Sequence, residues 1–129
     1  MARLRQLVKM QKATVLESDN ANGKVLLSLP RSATLLGMWA QVITAFDGTA
    51  PTLDLGIGTD ENYWVNARDL SSTGFFPLTM LQGGHLEDLG LNAPVIDVTA
   101  TVNVTGTPTK GEVLVIVMYA DPFINPGAA

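Results

Sequence analysis

The sequence contains no cysteine and a single histidine, His85. A chain without cysteine forms neither a disulfide framework nor a cysteine-ligated metal site, and most zinc sites draw on several histidine or cysteine ligands. Charged residues are also scarce, at 16% of the chain, where ordinary domains have about 25%. This low charge is typical either of a β surface rich in Thr, Asn and Gly or of a surface that partly meets another protein.

Long hydrophobic runs are absent as well. No segment approaches the roughly 20 apolar residues that span a bilayer, and charges interrupt residues 1–12 too often for the apolar core of a signal peptide. These features predict a soluble protein that is made in the cytoplasm without an export signal and has no membrane partner. The 129 residues show no internal repeat and no linker, as expected of one domain.

Basic residues concentrate at the N-terminus. Residues 1–12 hold four of the eight bases and none of the twelve acids, so this arm carries +4 and the remaining 117 residues carry −8. A basic arm on an acidic body predicts contact with something acidic, which leaves a neighbouring protein, nucleic acid or a phospholipid surface. We favour a neighbouring protein and no direct nucleic-acid contact, because four charges bind nucleic acid weakly and in a salt-sensitive way. The alternative to an arm that contacts a partner is a disordered tail surrounded by solvent.

Two segments near the C-terminus have strong β patterns. Residues 96–104 alternate strictly between apolar and polar positions, which indicates a strand with one buried face. Residues 112–120 are apolar at nearly every position after Glu112, and a strand of that kind needs cover on both faces.

The remaining patterns extend this scheme to about eight strands separated by turns such as Asp47-Gly48. In residues 34–46 we expect Leu36 and Met38 on one face and Leu35 and Trp39 on the other, with Gly37 marking a bulge. Turn signals recur about every ten residues, and no long helix is apparent, which predicts an all-β antiparallel sandwich of the jelly-roll kind. The predicted strands are residues 13–17, 24–29, 34–46, 52–58, 63–65, 75–81, 96–104 and 112–120.

This scheme divides the chain into three parts: a basic arm over residues 1–12, a β-sandwich over residues 13–122 and a short tail over residues 123–129. Leu4, Leu7 and Val8 have helical spacing, but two turns of isolated helix are marginal in water. The arm is therefore expected to be extended or briefly helical, and ordered by docking.

No set of residues converges on a catalytic or metal-binding pattern. His85 is close to Glu87 and Asp88, but a glycine-rich polar loop explains them better than a metal site. Asp47, Asp54, Asp60 and Glu61 flank glycine-rich turns and could hold calcium, yet the EF-hand pattern is missing, which favours solvated acidic loops. The serines lie in no nucleophile elbow, and no phosphate loop is present. We predict no enzymatic activity, no catalytic residue, no metal and no cofactor.

Aromatic residues make up 6% of the chain, and most are expected in the core. Trp64 lies beside Tyr63 in a polar stretch, so it is the aromatic residue least expected to be buried. If both rings are exposed on one sheet, they could stack on sugar rings. This pair is the candidate site for an alternative function, a carbohydrate-binding module.

Three segments resemble small structural proteins of tailed-phage virions, and most of all the capsid decoration, or cement, proteins. They are V-I-T-A-F-D-G-T-A-P-T-L-D-L-G-I-G-T-D at residues 42–60, K-V-L-L-S-L-P at 24–30 and D-L-S-S-T-G-F-F at 69–76. The similarity covers about residues 24 to 120 and consists of turn-and-strand patterns. It implies a small, often trimeric jelly roll on the outside of the head that clamps neighbouring capsomers.

From this resemblance we expect a homotrimer that decorates and stabilises a bacteriophage capsid by bridging subunits of the major capsid protein. Its expected location is the capsid exterior of the virion, after synthesis in the host cytoplasm. The alternatives are a carbohydrate-binding module of a phage fibre, through Tyr63 and Trp64, and a head–tail or tail component. The residues expected to contact a neighbouring protein are those of the arm, Arg3, Leu4, Arg5, Leu7, Val8 and Lys9.

Overall fold

The computed structural model describes residues 3–19, 23–58, 60–82, 84–89 and 94–125. Within them, two short 3₁₀ turns accompany eight strands, and no helix is long and apolar enough to cross a membrane. The 3₁₀ turns are Glu17–Asp19 and Leu86–Leu89. The strands are β1 (Arg3–Leu16), β2 (Lys24–Pro30), β3 (Thr34–Thr44), β4 (Thr49–Ile57), β5 (Asp60–Asp69), β6 (Gly74–Leu78), β7 (Val95–Thr105) and β8 (Glu112–Asn125).

The strands form two four-stranded antiparallel sheets, ordered β1-β8-β3-β6 and β2-β7-β4-β5. The chain pairs first strand with last, second with seventh, third with sixth and fourth with fifth. Such nesting rolls one long antiparallel ribbon into two stacked sheets, which is the jelly roll. The predicted all-β jelly roll with about eight strands is therefore confirmed.

The core lies between the sheets and follows from the period of two. In β8, Val113, Val115 and Val117 point inward and are fully buried, while the residues between them are only partly covered. From the facing sheet, Leu53 and Leu55 of β4 are fully buried as well. Burying an aliphatic side chain contributes on the order of 1.5–3 kcal/mol, so these alternating rows hold the sheets together.

Two bulges in β3 change the predicted assignment of its faces. The register of β3 against β8 shifts between Leu35 and Gly37 and again between Val42 and Thr44. Leu35 is consequently buried while Leu36 is 47% exposed, the reverse of the predicted pairing of Leu36 with Met38. The extra residue in a bulge turns the pleat by one position, which a simple alternation cannot anticipate.

The N-terminal residues are extended, which is one of the two conformations expected of the arm, and the helical alternative is wrong. Residues 3–12 belong to β1 and pair with β8 continuously with residues 13–16. The residues that the sequence scheme separated as arm and body at residue 12 thus share one strand. Residues 123–125 of the predicted tail lie in β8, and residues 126–129 lie outside the described residues.

One end of the β1–β8 pair extends past the rest of its sheet. β3 pairs with β8 only from Glu112 to Ala120, whereas β1 remains paired with β8 from Arg3 opposite Asn125. Residues 3–7 and 121–125 therefore form a two-stranded ribbon without a neighbour from β3. Five residues per strand give this ribbon a length of roughly 17 Å.

Candidate interaction surface

The outer face of the sheet β1-β8-β3-β6 is mostly apolar, with Gln41 and Thr14 among its polar positions. In β8 the outward residues are Leu114, Ile116 and Met118, which alternate with the buried valines. Antiparallel register then sets Met10 of β1 directly opposite Met118, so apolar rows from adjacent strands lie side by side. We call this surface the apolar face, and its members are Val8, Met10, Leu16, Leu36, Trp39, Ile43, Phe75, Pro77, Leu114, Ile116 and Met118.

The exposure of large apolar residues is concentrated on this face. Among the described residues, nine large hydrophobic side chains are exposed, and six of them belong to the apolar face. Val8 is 62% exposed and Phe75 is 57% exposed, so the face spans both edge strands of the sheet. Contiguous apolar patches of this kind mark sites of interaction with other molecules.

Trp39 lies at the centre of the apolar face. It pairs in register with Ile116 of β8 on one side and Pro77 of β6 on the other. Its ring covers Gly37, because a Cβ added at Gly37 would lie 2.7 Å from Trp39 Cη2. A tryptophan at the middle of an apolar surface has the position and chemistry of an interface hot spot.

Two opposite charges lie at the margin of this face. Lys12 of β1 is opposite Ile116, and Glu112 of β8 is opposite Leu16, so both belong to the outward rows. Within the described part of the chain, neither of them forms an ion pair. They lie four residues apart along adjacent strands, roughly 14 Å, too far for direct pairing within one chain.

The outer face of the sheet β2-β7-β4-β5 is polar instead. Asp97 accepts a hydrogen bond from the Ser28 hydroxyl at 2.6 Å, and Thr52 and Asn103 face each other across β4 and β7. Asp54 is almost buried there; its carboxylate accepts hydrogen bonds from the Ala67 N–H at 2.7 Å and from Asn103 Nδ2 at 3.0 Å. These hydrogen bonds form within the chain, whereas the hydroxyl of Thr101, opposite Asp54, is buried without a hydrogen-bond partner among the described residues.

A cleft of about 380 Å³ opens between the edge strands β5 and β6. Its charged residues are Arg68 and Asp69, and the Arg68 guanidinium lies 4.3 Å from the centre of the Phe76 ring. Hydrogen bonds from the Ser71 side chain and N–H lower the pKa of Asp69 below its usual value. Arg68 is occupied by the aromatic ring and Asp69 by the turn that it caps. The lining therefore lacks a nucleophile paired with a general base.

His85 and the acids of the sequence analysis do not converge on a metal site. His85 is exposed and its Nδ1 lies 3.1 Å from the Thr34 hydroxyl, so it fastens its loop to β3. Asp47 caps the β7–β8 turn through the N–H groups of Thr109 and Lys110. Among the described residues, no group of three or more potential metal-ligating side chains is gathered.

The predicted arm contacts fall on β1, in an arrangement that helical spacing did not anticipate. In a strand, Leu4 and Val8 occupy one row of positions and Leu7 the other. Leu4 and Val8 pair in register with Ile124 and Ala120, so the row of Val8 continues along the ribbon. Arg3, Arg5 and Lys9 occupy the other row with Leu7. Their contact with a neighbouring protein stays a prediction.

The sugar-stacking alternative is contradicted at Trp64. This residue is 0% exposed and belongs to the core, and its ring meets Tyr63 edge to face with the centroids 5.3 Å apart. A buried indole has no face to offer to a sugar, and Tyr63 is itself partly buried against the core. The polar neighbours that suggested exposure are the outward residues of β5.

Sequence reasoning missed the apolar face as a site, although one signal for it was present. The apolar run of residues 112–120 predicts cover on both faces, and the described residues cover only the inner one fully. The uncovered side of β8 is the middle of the apolar face. The contributions of Trp39 and Phe75 depended on strand order and on the β3 bulges, which the sequence does not reveal.

The same fold occurs in chains of solved phage capsid structures. A chain of the structure described as the cyanophage Pam1 capsid asymmetric unit matches with a TM-score of 0.69 and 20% identity, over 89% of this chain and 85% of its own. A chain of the acidic stable capsid structure of Helicobacter pylori bacteriophage KHP30 matches with a TM-score of 0.62 and 14% identity, over 97% of both. The jelly roll is thus a fold found in phage capsids. No protein-family model and no curated protein matches this sequence.

Proposed function

We propose that this protein is a non-enzymatic structural component of a phage virion, which decorates the outside of the capsid and stabilises it by bridging coat subunits. The observation that carries the proposal is the jelly roll, which chains from two phage capsid structures share over at least 85% of their own length. The apolar face supports it, because a protein with so much uncovered apolar surface functions in an assembly.

The proposed partners are the major capsid protein and further copies of this chain, arranged as a homotrimer. A trimer placed on a symmetric site binds through three linked contacts, so a weak contact per copy becomes a tight one overall. The ribbon of residues 3–7 and 121–125 supports the bridging role, because it extends beyond the sheet. Its sequence carries Arg3 and Arg5, which would meet acidic groups on a coat subunit.

Cryo-electron microscopy of phage particles that contain this chain tests the proposal. We expect the jelly roll on the outer surface of the head, seated where coat subunits meet, with the β1–β8 ribbon against a neighbouring subunit. Density in the tail, at the head–tail junction or on a fibre would contradict decoration, and a copy number equal to that of a continuous shell would identify the chain as coat protein.

The ribbon has a separate test. Deleting residues 2–7 leaves every β8 residue that pairs with β3 still paired with β1, so the body is expected to fold. We expect the truncated protein to bind heads at least about tenfold more weakly, since two aliphatic anchors and two charges are lost. Lys110→Glu, a charge change in the β7–β8 turn, is the matched control and should bind normally. Undiminished binding after the deletion would exclude the ribbon as the contact.

A further inference from the structure

We infer that the apolar face is the surface through which copies of this chain associate with one another. The inference deepens the proposed function, since it assigns the self-contact of the decorating trimer to defined residues. It starts from β8, whose outward residues Leu114, Ile116 and Met118 are only partly covered by the described part of the chain.

The size of the apolar face fits such a contact. Strands are about 4.8 Å apart and rise about 3.4 Å per residue, and the face has four strands, with eleven residues in β3. Because β6 has only five residues, the footprint of the face is roughly 600 Å². A standard protein interface buries about 600–1,000 Å² on each partner, so the face is at the lower end of one partner's share.

The charges of the face favour another copy over a different protein. The whole surface carries one base, Lys12, and one acid, Glu112, among its described outward positions. Their separation prevents pairing within a chain, but identical chains always bring both charges, so Lys12 of one copy can meet Glu112 of the next. A surface with balanced opposite charges at its margin and an apolar centre therefore offers each neighbouring copy one half of an ion pair, as a ring of identical subunits requires.

The centre of the face has the composition of an interface core. Trp39 of the inner strand β3 lies between Ile116 and Pro77. Phe75 lies on the edge strand β6, so aromatic residues occupy two adjacent strands of the face. Aromatic residues are enriched and charged residues depleted at interface cores. In the proposed homotrimer, three such faces turned toward the threefold axis would exclude water from one another.

The test is the mass of the purified chain by analytical ultracentrifugation over a range of concentrations. We expect the wild type to associate, and Trp39→Lys to weaken association at least about 30-fold, the effect of losing a central hot-spot residue. Phe75→Lys, at a more exposed position, should act in the same direction. Thr52→Lys places the same charge on the polar outer face of the other sheet and should associate like the wild type. Circular dichroism verifies that each variant is folded.

A charge exchange identifies the partner as a copy of the chain. Lys12→Glu and Glu112→Lys should each weaken association about two- to fivefold, as expected of a surface ion pair, and the double variant should recover it. The double variant recovers association only if residue 12 of one copy meets residue 112 of another copy of the same chain. Single variants that associate normally, or a double variant weaker than both, would overturn the assigned contact.

The remaining outcomes separate this inference from the proposed function. A wild type that stays monomeric, or a folded Trp39→Lys variant that associates normally, overturns the inference. If that monomeric protein still binds phage heads and Trp39→Lys abolishes the binding, the face meets a coat subunit, and the proposed function stands without the self-contact. An oligomer that depends on Trp39 but is missing from phage heads supports the inference and removes the proposed function.

Discussion

The two sheets bury their inner faces in the same way but differ on their outer faces. On β8, apolar side chains continue outward between buried valines, whereas on β7 the outward positions hold Asp97 and Asn103. Both sheets have the same number of strands and the same nested pairing. Forming the jelly roll therefore does not require an apolar outer face, and the surplus apolar surface on one sheet supports the proposed self-contact.

The polar sheet also shows how an outer face is completed within one chain. The Asp54 carboxylate accepts hydrogen bonds from the Ala67 N–H and the Asn103 side-chain amide, and the Ser28 hydroxyl donates a hydrogen bond to Asp97. Hydrogen-bonded side chains of this kind meet their requirements without a partner. Exposed apolar side chains cannot be stabilised by hydrogen bonds within the chain, because they gain free energy only when their surface is removed from water.

The largest expected effect separates the two tryptophans. Trp64 is 0% exposed in the core, so Trp64→Ala should lower the free energy of unfolding by about 3–5 kcal/mol. Trp39 lies half-buried on the apolar face, so Trp39→Ala should cost only about 1 kcal/mol in the monomer while weakening association. Urea unfolding followed by circular dichroism, at a dilution where the chain is monomeric, measures both. Equal losses at the two positions would break the distinction between core and interaction surface.

Two glycines give a smaller contrast of the same kind. A Cβ at Gly56 of β4 would collide with the backbone of Asp60 and Glu61 in β5. Backbone atoms in a ladder cannot withdraw, so Gly56→Ala should destabilise the fold by about 1–3 kcal/mol, the usual cost of overpacking. A Cβ at Gly37 meets the movable ring of Trp39, so Gly37→Ala should cost less than about 1 kcal/mol.

The Gly37→Ala substitution should nevertheless weaken self-association, because the added methyl group would displace the Trp39 indole from its position on the apolar face. Unfolding midpoints and sedimentation of the two variants measure the contrast. A stable Gly56→Ala variant, or a Gly37→Ala variant with normal association, would show that the close approaches in the two sheets are not the constraints described above.

The accuracy of the sequence predictions varied with how regularly each strand alternates. The strand predicted over residues 96–104 is confirmed as β7, Val95–Thr105. Its unbroken alternation of apolar and polar residues is the direct consequence of one buried face. β5 was predicted as three residues and has ten. Its register against β4 shifts, and Ala67 takes a left-handed φ of 58°, so the alternation that would have revealed the strand is interrupted.

The start of β1 and the candidate site depended on tertiary pairing. Leu4, Leu7 and Val8 have helical spacing, yet β8 offers a long partner strand, and pairing with it decides the conformation. The apolar face combines residues from four strands that lie far apart in the sequence. No local pattern links Trp39 to Met10, although the apolar character of residues 112–120 predicts a second cover for β8.

The smallest expected effect concerns the end of the sandwich, away from both outer faces. The Thr109 hydroxyl and the Lys110 and Thr109 N–H groups donate to Asp47, which lowers the pKa of its carboxyl below the usual 3.8. A depressed pKa in the folded state stabilises the fold above the ordinary pKa, and that contribution is lost as the pH falls through 3.8 toward the folded value. Asp47→Asn should therefore flatten the acid side of the stability profile, measured as urea midpoints between about pH 6 and pH 3. Thr109→Val keeps the carboxylate but removes its strongest donor, so it should flatten the profile partly. Neither variant should alter self-association at neutral pH, and a wild-type acid response in both would show that the Asp47 cap does not contribute to stability.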